Sequence, residues 1–340
     1  MNANVLQWDG GPAHYEVYYL SATDARSGIG LWIRYTMRSP VNGLGECALW
    51  FMAMERDGSR LARKATYAIE ELTAEPDPFR LTLAGADLSD RGMAGAFEDV
   101  AWELLWEPSL PAAEHVDPLL RRAGIAKTIL VLAHPDLAVE GTVRFAGRDL
   151  VLDGARGGQA HLWGSKHASR WAWAHANDLR TPEGEQRPGA YLDGVSVFVP
   201  RLGRQLGPST PVVGRFGDDD FRSTGPLSVT RNQSHFGLTS WHFEARDGKR
   251  KVVGEVDAPR GSLVGVTYHD PDGDLAYCYN SEVASMRLSV WHRTAGSRWP
   301  RASGGGSAGW TLRDTLVADG TAHFEYAQRA PVDGVELLVT

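Results

Sequence analysis

Histidine and tryptophan side chains are concentrated in residues 161–178, whose sequence is HLWGSKHASRWAWAHAND. If Arg170–Asn177 forms a β-strand, alternation places Trp171, Trp173 and His175 on one face and a row of alanines on the other. An aromatic surface that ends in polar groups suits an apolar ligand held beside a group that transfers protons. A tryptophan-filled core with a hydrogen-bonded histidine gives the same pattern, so alternation alone leaves both interpretations open.

Proton transfer beside such a surface requires an acid, and the sequence offers two carboxylates. The first is Asp193, two residues after Tyr191, although an Asp-Gly pair such as Asp193-Gly194 is equally typical of a hairpin turn. The second is Glu98, which alternation places on the same strand face as Trp102 in the run FEDVAWELLW. A glutamate exposed at the end of a strand is the alternative interpretation of Glu98.

A metal site is the other chemistry that histidines suggest. The separations between His161, His167 and His175 are six and eight residues, which do not bring the side chains onto one helix face as in a zinc motif. Histidines hydrogen-bonded within a polar pocket are the simpler interpretation. No glycine-rich nucleotide fingerprint precedes a helix. We therefore expect neither a metal nor a cofactor.

Three other runs look like chemical motifs and are more simply explained as loops. Gly305–Gly309 matches G-x-S-x-G but lies in a glycine-rich stretch without the strand and helix that a nucleophile elbow requires. Asp270–Asp274 lacks the ligand spacing of a calcium loop and is typical of a hairpin turn. Asp218–Asp220 is most simply a solvated loop.

The elements that must position these residues are strands. Leu31–Met37 alternates with a period of two, and Leu49–Met54 is apolar on both faces, as in a strand covered on both sides. Sustained helical periodicity is missing, and the best short-helix candidates are Leu119–Ala123 and Ser281–Ala284. Many short strands separated by glycine and proline turns predict an all-β sandwich or barrel.

The chain length favours two domains, because 340 residues exceed what one small core organises. Two loop-rich segments interrupt the strand pattern, residues 180–189 and 200–211. We place the boundary at the second segment, which gives domains of residues 1–200 and 201–340.

Composition excludes several classes of partner. The net charge of −7 and the absence of a Lys/Arg cluster exclude nucleic acid. No apolar run reaches the roughly 20 residues of a transmembrane segment, and the N-terminal residues lack the features of a secretory signal. Cys47 and Cys278 lie far apart in sequence, as a reduced cytoplasm permits, so we expect a cytoplasmic protein without a disulfide. Nothing in the sequence decides the oligomeric state.

Three short motifs within residues 153–199 resemble the carotenoid 1,2-hydratase (hydroxyneurosporene synthase) family and, in part, the tocopherol cyclases. The motifs are His161-x-Trp163-Gly164, Trp171-x-Trp173-x-His175 and Tyr191-x-Asp193. The resemblance implies two lipocalin-like (calycin-type) antiparallel β-barrel domains, which agrees with the predicted strands. The same lipocalin-like group includes some fungal Diels–Alderases.

The resemblance also implies roles for individual residues. In the hydratases, the residues that match His161, Trp163, Tyr191 and Asp193 are taken to line the active site. A buried aspartic acid there would be kept protonated, since burial raises its pKa, and would donate its proton to an alkene. His161 or Tyr191 would orient the acid or relay its proton. The faces of nearby tryptophans would stabilise the carbocation.

The function that we expect is cofactor-free, acid-type hydration or cyclisation of an alkene in a hydrophobic, isoprenoid- or polyene-like small molecule. The residues expected to contact this ligand are Trp163, Trp171, Trp173, His175, Glu98 and Trp102. Two alternatives stay open: a pericyclase (Diels–Alderase-like) of secondary metabolism, in which shape and hydrogen bonds dominate, and a non-catalytic lipocalin-like carrier of an apolar ligand.

Overall fold

The computed structural model describes residues 2–117, 121, 127–198, 200–201, 204–205, 207–294 and 309–340. Almost all of its regular structure is β, in two large sheets that are antiparallel apart from one pair of strands. The prediction of an all-β, two-barrel, lipocalin-like fold is confirmed.

The first sheet contains the strands that precede residue 165. Its members are β1 (His14–Asp24), β2 (Ile29–Ser39), β3 (Glu46–Glu55), β4 (Arg60–Ala68), β5 (Leu72–Pro76), β6 (Phe79–Leu83), β7 (Ala86–Ser89), β8 (Gly92–Phe97), β9 (Val100–Leu105), β10 (Ala113–Glu114), β11 (Thr128–Phe145) and β12 (Arg148–Gly164). Their spatial order is β4-β3-β2-β1-β12-β11-β9-β8-β7-β6-β5, and the short β10 pairs with β11. A 3-10 turn at Ile69–Glu71 leads into β5.

The second sheet contains most of the later strands. Its members are β13 (Arg170–Ala176), β14 (Tyr191–Phe198), β17 (Val212–Phe216), β18 (Asp219–Ser223), β19 (Gln233–Phe236), β20 (Ser240–Asp247), β21 (Arg250–Asp257), β22 (Val264–His269), β23 (Leu275–Arg293), β24 (Trp310–Gln328) and β25 (Leu337–Val339). The order is β18-β17-β14-β13-β24-β23-β21-β20-β19, with β22 pairing with β23 and, in parallel, with β25. Outside this sheet are the two-stranded pair β15 (Pro200–Arg201) and β16 (Arg204–Gln205), helix α1 (Pro226–Arg231) and a 3-10 turn at Arg260–Ser262.

Each sheet curls around a core of its own. In the first, Phe51 of β3 stacks with Trp102 of β9 at a ring-centroid distance of 6.4 Å, although four strands separate β3 from β9 within the sheet. In the second, Gly194 of β14 faces Trp241 of β20, where a β-carbon would lie 2.9 Å from the indole. Gly194 lies within strand β14, and its lack of a side chain leaves room for the indole. The hairpin-turn alternative for Asp193-Gly194 is therefore wrong.

A third core lies between the two sheets. Strand β1 has a core on each of its faces, which is why both faces carry apolar residues. Tyr18 points into the first barrel, and Tyr19 points towards the second sheet. From β13, Trp171 and Trp173 enter the same inter-sheet core. The alanines of β13 point the other way, into the core of the second barrel, where their small size lets the large rings of that core pack closely. The aromatic face predicted for Arg170–Asn177 is therefore the junction between the sheets.

The change from one sheet to the next falls earlier than the loops suggested. The first sheet ends at Gly164 and the second begins at Arg170. The boundary predicted after residue 200 thus lies beyond two strands of the second sheet, because β13 and β14 pair with later strands and not with earlier ones.

Two other predictions of local structure have definite outcomes. Ser281–Ala284 is part of strand β23, so the short-helix candidate there is wrong, since pairing with β24 holds this segment extended. Leu119–Ala123 and Gly305–Gly309 lie outside the described residues, except for Arg121 and Gly309. In the described part of the chain, none of the helices has the length and apolar composition required to cross a membrane.

Candidate functional site

A fully buried carboxylate, Asp193, lies on the β14 face that points towards the first sheet. The antiparallel register places it directly opposite His175 of β13. His175 Nδ1 lies 3.1 Å from Asp193 Oδ2, and the indole N–H of Trp173 donates to both carboxylate oxygens at 3.1 Å. The strand predicted from alternation therefore supplies two of the partners of this acid.

The third partner comes from the other half of the molecule. His115 follows β10, and its Nε2 lies 2.7 Å from Asp193 Oδ1. His115 and His175 are both almost completely buried. A carboxylate of the second sheet is thus enclosed by two imidazoles, one from each half of the chain. We refer to Asp193, His115, His175 and Trp173 as the Asp193 centre.

The electrostatics of the Asp193 centre differ from the expectation of a neutral acid. Burial by itself raises the pKa of Asp193, but the close contact with His115 and the hydrogen bond with His175 outweigh burial, and the net pKa is lowered. Asp193 is therefore an anion at neutral pH. As an anion it accepts hydrogen bonds and has no proton of its own to donate.

Three ring nitrogens at the centre have no hydrogen-bond partner among the described residues: both nitrogens of His115 and Nε2 of His175. His115 Nε2 contacts Asp193 Oδ1 at 2.7 Å outside hydrogen-bond geometry, so His115 Nδ1 and His175 Nε2 are the two nitrogens that face away from the carboxylate. Buried polar atoms are nearly always paired with protein or water. Unpaired nitrogens on two rings oriented by one carboxylate are positions at which a proton can be given to, or taken from, a bound molecule.

A second buried acid and histidine extend the polar row. His323 of β24 lies opposite His175, with ring centroids 5.7 Å apart, and its Nδ1 is 2.5 Å from Glu282 Oε2. Glu282 Oε1 and His323 Nε2 have no hydrogen-bond partner in the described part of the chain. The inter-sheet space therefore contains two carboxylate–histidine pairs in one row.

Aromatic rings form the wall beside this row. Trp173 is nearly parallel to His175, with an interplanar angle of 8°, and Tyr19 of the first sheet meets Trp173 edge-on at 5.8 Å. The indole N–H of Trp171 donates to Glu325. Trp171 precedes Trp173 by two residues on the same face of β13, so it lies further from Asp193 than Trp173 does. The centre is thus flanked by π faces suited to flat or unsaturated groups.

Tyr191, a neighbour of Asp193 on β14, lines a small cleft. It precedes Asp193 by two residues on the same strand face, and burial raises its pKa, so its phenol stays neutral. The cleft lies between Tyr191, Val213 and the segment that includes Leu110 and Ala113. The cleft therefore lies two residues along the chain from His115, which follows Ala113, and two residues from Asp193, which follows Tyr191.

His161 and Trp163 do not join this site. Both lie on β12, where His161 is in register with Tyr18 of β1 and Trp163 with Glu16. They are on the face that points away from the second sheet. His161 Nε2 lies 2.7 Å from Glu16 Oε1 and its Nδ1 lies 2.8 Å from the carbonyl of Ala3. Both nitrogens are thus occupied by partners from the first half of the chain. The catalytic role expected for His161 therefore has no support in its position.

The second predicted acid also lies elsewhere. Glu98 occupies the exposed turn between β8 and β9, with φ of 49°, and forms an ion pair with Arg63. Trp102 points into the core of the first barrel. Because the turn reverses the chain before β9 begins, alternation does not extend from Trp102 back to Glu98, and the two do not share a ligand surface.

The three histidines of the HLWGSKHASRWAWAHAND stretch bind three different carboxylates. His161 pairs with Glu16, His175 with Asp193, and His167 with Asp270 of the predicted DPDGD turn. That turn docks on the segment between the sheets, since Lys166 also pairs with Asp272 and Asp274. Among the residues that the structure describes, no group of three or more His, Cys, Asp or Glu side chains could hold a metal ion.

Sequence reasoning missed the partners that come from distant segments, above all His115, Glu282 and His323. A signal for His323 exists in β24, where Thr321, His323 and Glu325 alternate with apolar residues that face the second barrel. Polar residues at alternate positions of an otherwise apolar strand indicate a polar layer. His115 has no comparable signal, because it lies outside regular structure.

Gly158 provides the space for the His175 ring. A methyl group at this position would lie 2.9 Å from His175 Nε2, so Gly158→Ala is expected to turn the ring away from Asp193. We expect a loss of about 1–3 kcal/mol in the free energy of unfolding, as for other overpacked sites, and a changed ring-nitrogen NMR signal of His175. Gly237→Ala is the control, because a β-carbon there meets nothing within 4 Å. Equal stability of the two variants would show that the ring is not confined.

Comparison with known proteins identifies the fold. No family model matches the chain. Two proteins of Mycobacterium tuberculosis, from strains CDC 1551 and H37Rv and both described as uncharacterised, are 28% identical to it over 325 residues, which is 93% of this chain and 92% of theirs.

Among solved structures, a candidate AttH protein from Nitrosomonas europaea aligns with a TM-score of 0.55 and 11% identity over 93% of both chains. CghA, crystallised with Sch210972, aligns with a TM-score of 0.57 and 10% identity over 93% of this chain and 88% of its own. At these identities the similarity establishes the shared lipocalin-like fold.

Proposed function

We propose that the protein binds an unsaturated, largely apolar small molecule between its two sheets and transfers a proton to or from it at the Asp193 centre, in a cofactor-free hydration or cyclisation. The observation that carries this proposal is the buried carboxylate between two imidazoles that each keep an unpaired nitrogen facing away from it. A protein of the same fold, CghA, has been crystallised with the small molecule Sch210972, which supports a ligand site in this architecture.

The roles follow from the charges at the centre. Anionic Asp193 stabilises the imidazolium form of His115 or His175, and that ring donates a proton to the alkene from its unpaired nitrogen. The carbocation that results lies beside the π face of Trp173. In hydration, a water oxygen bonds to the cationic carbon and its proton returns to the imidazole. In cyclisation, an internal hydroxyl or alkene bonds to that carbon, and the proton lost afterwards returns to the same ring.

The acid strength of the centre narrows the substrate class. An imidazolium has an ordinary pKa of about 6.5 and is a weaker acid than the neutral carboxylic acid expected from the sequence. It protonates an electron-rich alkene, whose carbocation is stabilised by conjugation or by an oxygen donor, more readily than an isolated one. We therefore propose a polarised double bond within an aromatic or polyene framework, which the Trp173 and Tyr19 rings would contact.

Replacing a histidine tests this role without removing the carboxylate. With a compound that the wild type converts, His175→Gln and His115→Gln are compared, and at least one is expected to lower kcat by about 10²–10⁴-fold, because general acid–base catalysis contributes that much. His242→Gln is the control, since His242 lies on the second sheet away from this centre. The measurement is kcat across pH 5–9 for each variant.

The outcomes distinguish the alternatives. A wild-type rate that changes with pH and loses this dependence in the sensitive variant supports proton transfer. A flat pH profile with full activity in both variants would instead favour a pericyclic reaction, in which no acid acts. Binding of unsaturated compounds without any product would favour a carrier.

A further inference from the structure

A buried arginine occupies the inter-sheet core away from the Asp193 centre. Arg34 of β2 is only 6% exposed and stands in register between Tyr19 of β1 and Trp50 of β3. Its guanidinium carbon lies 4.3 Å from the ring centroid of Tyr268 on the facing sheet, 5.2 Å from that of Trp32 and 5.6 Å from that of Trp50. Aromatic faces thus surround a buried cation.

The charge of Arg34 is not balanced by an acid. Its Nε has no hydrogen-bond partner, and the guanidinium forms no ion pair with any carboxylate that the structure describes. Glu46 is already bonded to Arg38, and Glu325 accepts from Trp171 and from Tyr268. Buried charges are normally paired, and stacking on ring faces leaves the in-plane N–H groups of a guanidinium free.

The free N–H groups border a cleft between the sheets. Arg34, Lys64, Trp50 and Tyr268 line it, and the Lys64 ammonium lies 4.5 Å from the Trp50 ring. His167 also lines it but is bonded to Asp270. With Arg38 paired to Glu46, Arg34 and Lys64 give the cleft an excess of positive charge. Partial burial lowers the pKa of Lys64, whose ammonium also donates to the carbonyl of Thr340.

We propose that this cleft binds the carboxylate of a small unsaturated acid. Arg34 would donate two parallel N–H groups to the two carboxylate oxygens, the geometry that guanidinium groups prefer. Lys64 would supply a second positive charge, and the Trp50 and Tyr268 rings would contact the unsaturated part of the ligand. This site is separate from the Asp193 centre, because the Tyr19 and Trp173 rings lie between them, and its occupation does not depend on proton transfer.

Carboxylates and their neutral analogues provide the test. Acetate, trans-cinnamate and cis-parinarate, paired with acetamide, trans-cinnamamide and methyl parinarate, are titrated into the full-length protein, and affinity is measured by calorimetry. At least one acid is expected to bind the wild type about tenfold more tightly than its neutral analogue, and Arg34→Gln is expected to remove that difference. Arg63→Gln removes a β4 cation that is paired with Asp99 and does not line the cleft, and it is expected to change affinity by less than about threefold.

A second readout separates binding from a purely structural role of Arg34. The Nε–H NMR signal of Arg34, assigned by its loss in Arg34→Lys, is expected to shift on addition of the bound acid and not of its amide or ester. It remains measurable in the wild type even if Arg34→Gln fails to fold. Asp193→Asn is expected to bind the acid as the wild type does, so this proposal and the proton-transfer proposal fail independently. Absence of binding by all three acids, or equal binding of acid and neutral analogue, would overturn the proposal.

Discussion

Asp193→Asn is expected to lower turnover by about 10³–10⁴-fold, as when a carboxylate that orients and charges a catalytic histidine is replaced by its amide. The amide has nearly the same shape, so the Trp173 contact and the strand register remain. It cannot stabilise an imidazolium, because it carries no charge and presents an N–H group to one ring. The measurement is kcat for a compound that the wild type converts, together with the dissociation constant of that compound.

The control for this variant is Asp178→Asn. Asp178 is also buried and is paired with Arg180, two residues beyond the strand that carries His175. It therefore reports the general effect of removing a buried carboxylate from this region. We expect Asp178→Asn to keep most of the activity. Equal activity in Asp193→Asn and the wild type would remove Asp193 from the mechanism.

Glu16→Gln is expected to give the largest loss of stability. The fully buried Glu16 carboxylate contacts His14, His161 and the Tyr18 hydroxyl and accepts the backbone N–H groups of Gln7 and Trp8. An amide removes the negative charge that faces His14 and His161 and presents an N–H group where an acceptor is needed. Breaking a buried ion pair costs about 3–5 kcal/mol, and we expect a loss in this range by urea unfolding.

The pH dependence of stability tests the same pair. Burial raises the pKa of Glu16, but the hydrogen bonds from His14 and His161 outweigh it and lower the pKa from 4.5 to about 2. A depressed carboxyl pKa stabilises the fold above the unfolded value, and that stability is lost as pH falls from about 4.5 towards 2. The shift corresponds to about 3 kcal/mol. Glu16→Gln should remove this part of the acid sensitivity, and an unchanged acid profile would contradict the ion pair.

The fold was predictable because the alternation of side chains that indicates a strand lies within a few consecutive residues. Alternation in Leu31–Met37 and in Arg170–Asn177 identified strands that the structure confirms within β2 and β13. Apolar residues on both faces of Leu49–Met54 correctly indicated a covered strand, since β3 lies between the first barrel core and the inter-sheet core. The position at which one sheet replaces the other was not predictable from loop composition, because it depends on which distant strands β13 and β14 pair with.

The candidate site was predictable only in part. Alternation brought Trp171, Trp173 and His175 onto one face, and strand pairing adds Asp193 and Tyr191. Pattern alone could not show the charge of Asp193, because that charge depends on a histidine from another segment.

Sequence proximity was misleading for the rest of the stretch. His161 and His175 are fourteen residues apart, but they belong to different sheets and point into different surroundings. A motif defined by spacing along the sequence does not show that the chain passes from the first sheet to the second at residues 165–169. The resemblance to the hydratase motifs therefore remains informative for the second half of the stretch and not for His161 and Trp163.

Deuterium incorporation is the most direct test of proton transfer at the Asp193 centre. Native mass spectrometry first identifies molecules that co-purify with the protein and members of a panel of conjugated alkenes that bind it. The bound compounds are then incubated with the protein in D2O, and deuterium attached to carbon is measured by NMR. We expect the wild type to place deuterium on a carbon of at least one bound compound and Asp193→Asn to do so far more slowly. Binding without deuterium incorporation, or equal rates in the two proteins, would contradict proton transfer at this centre.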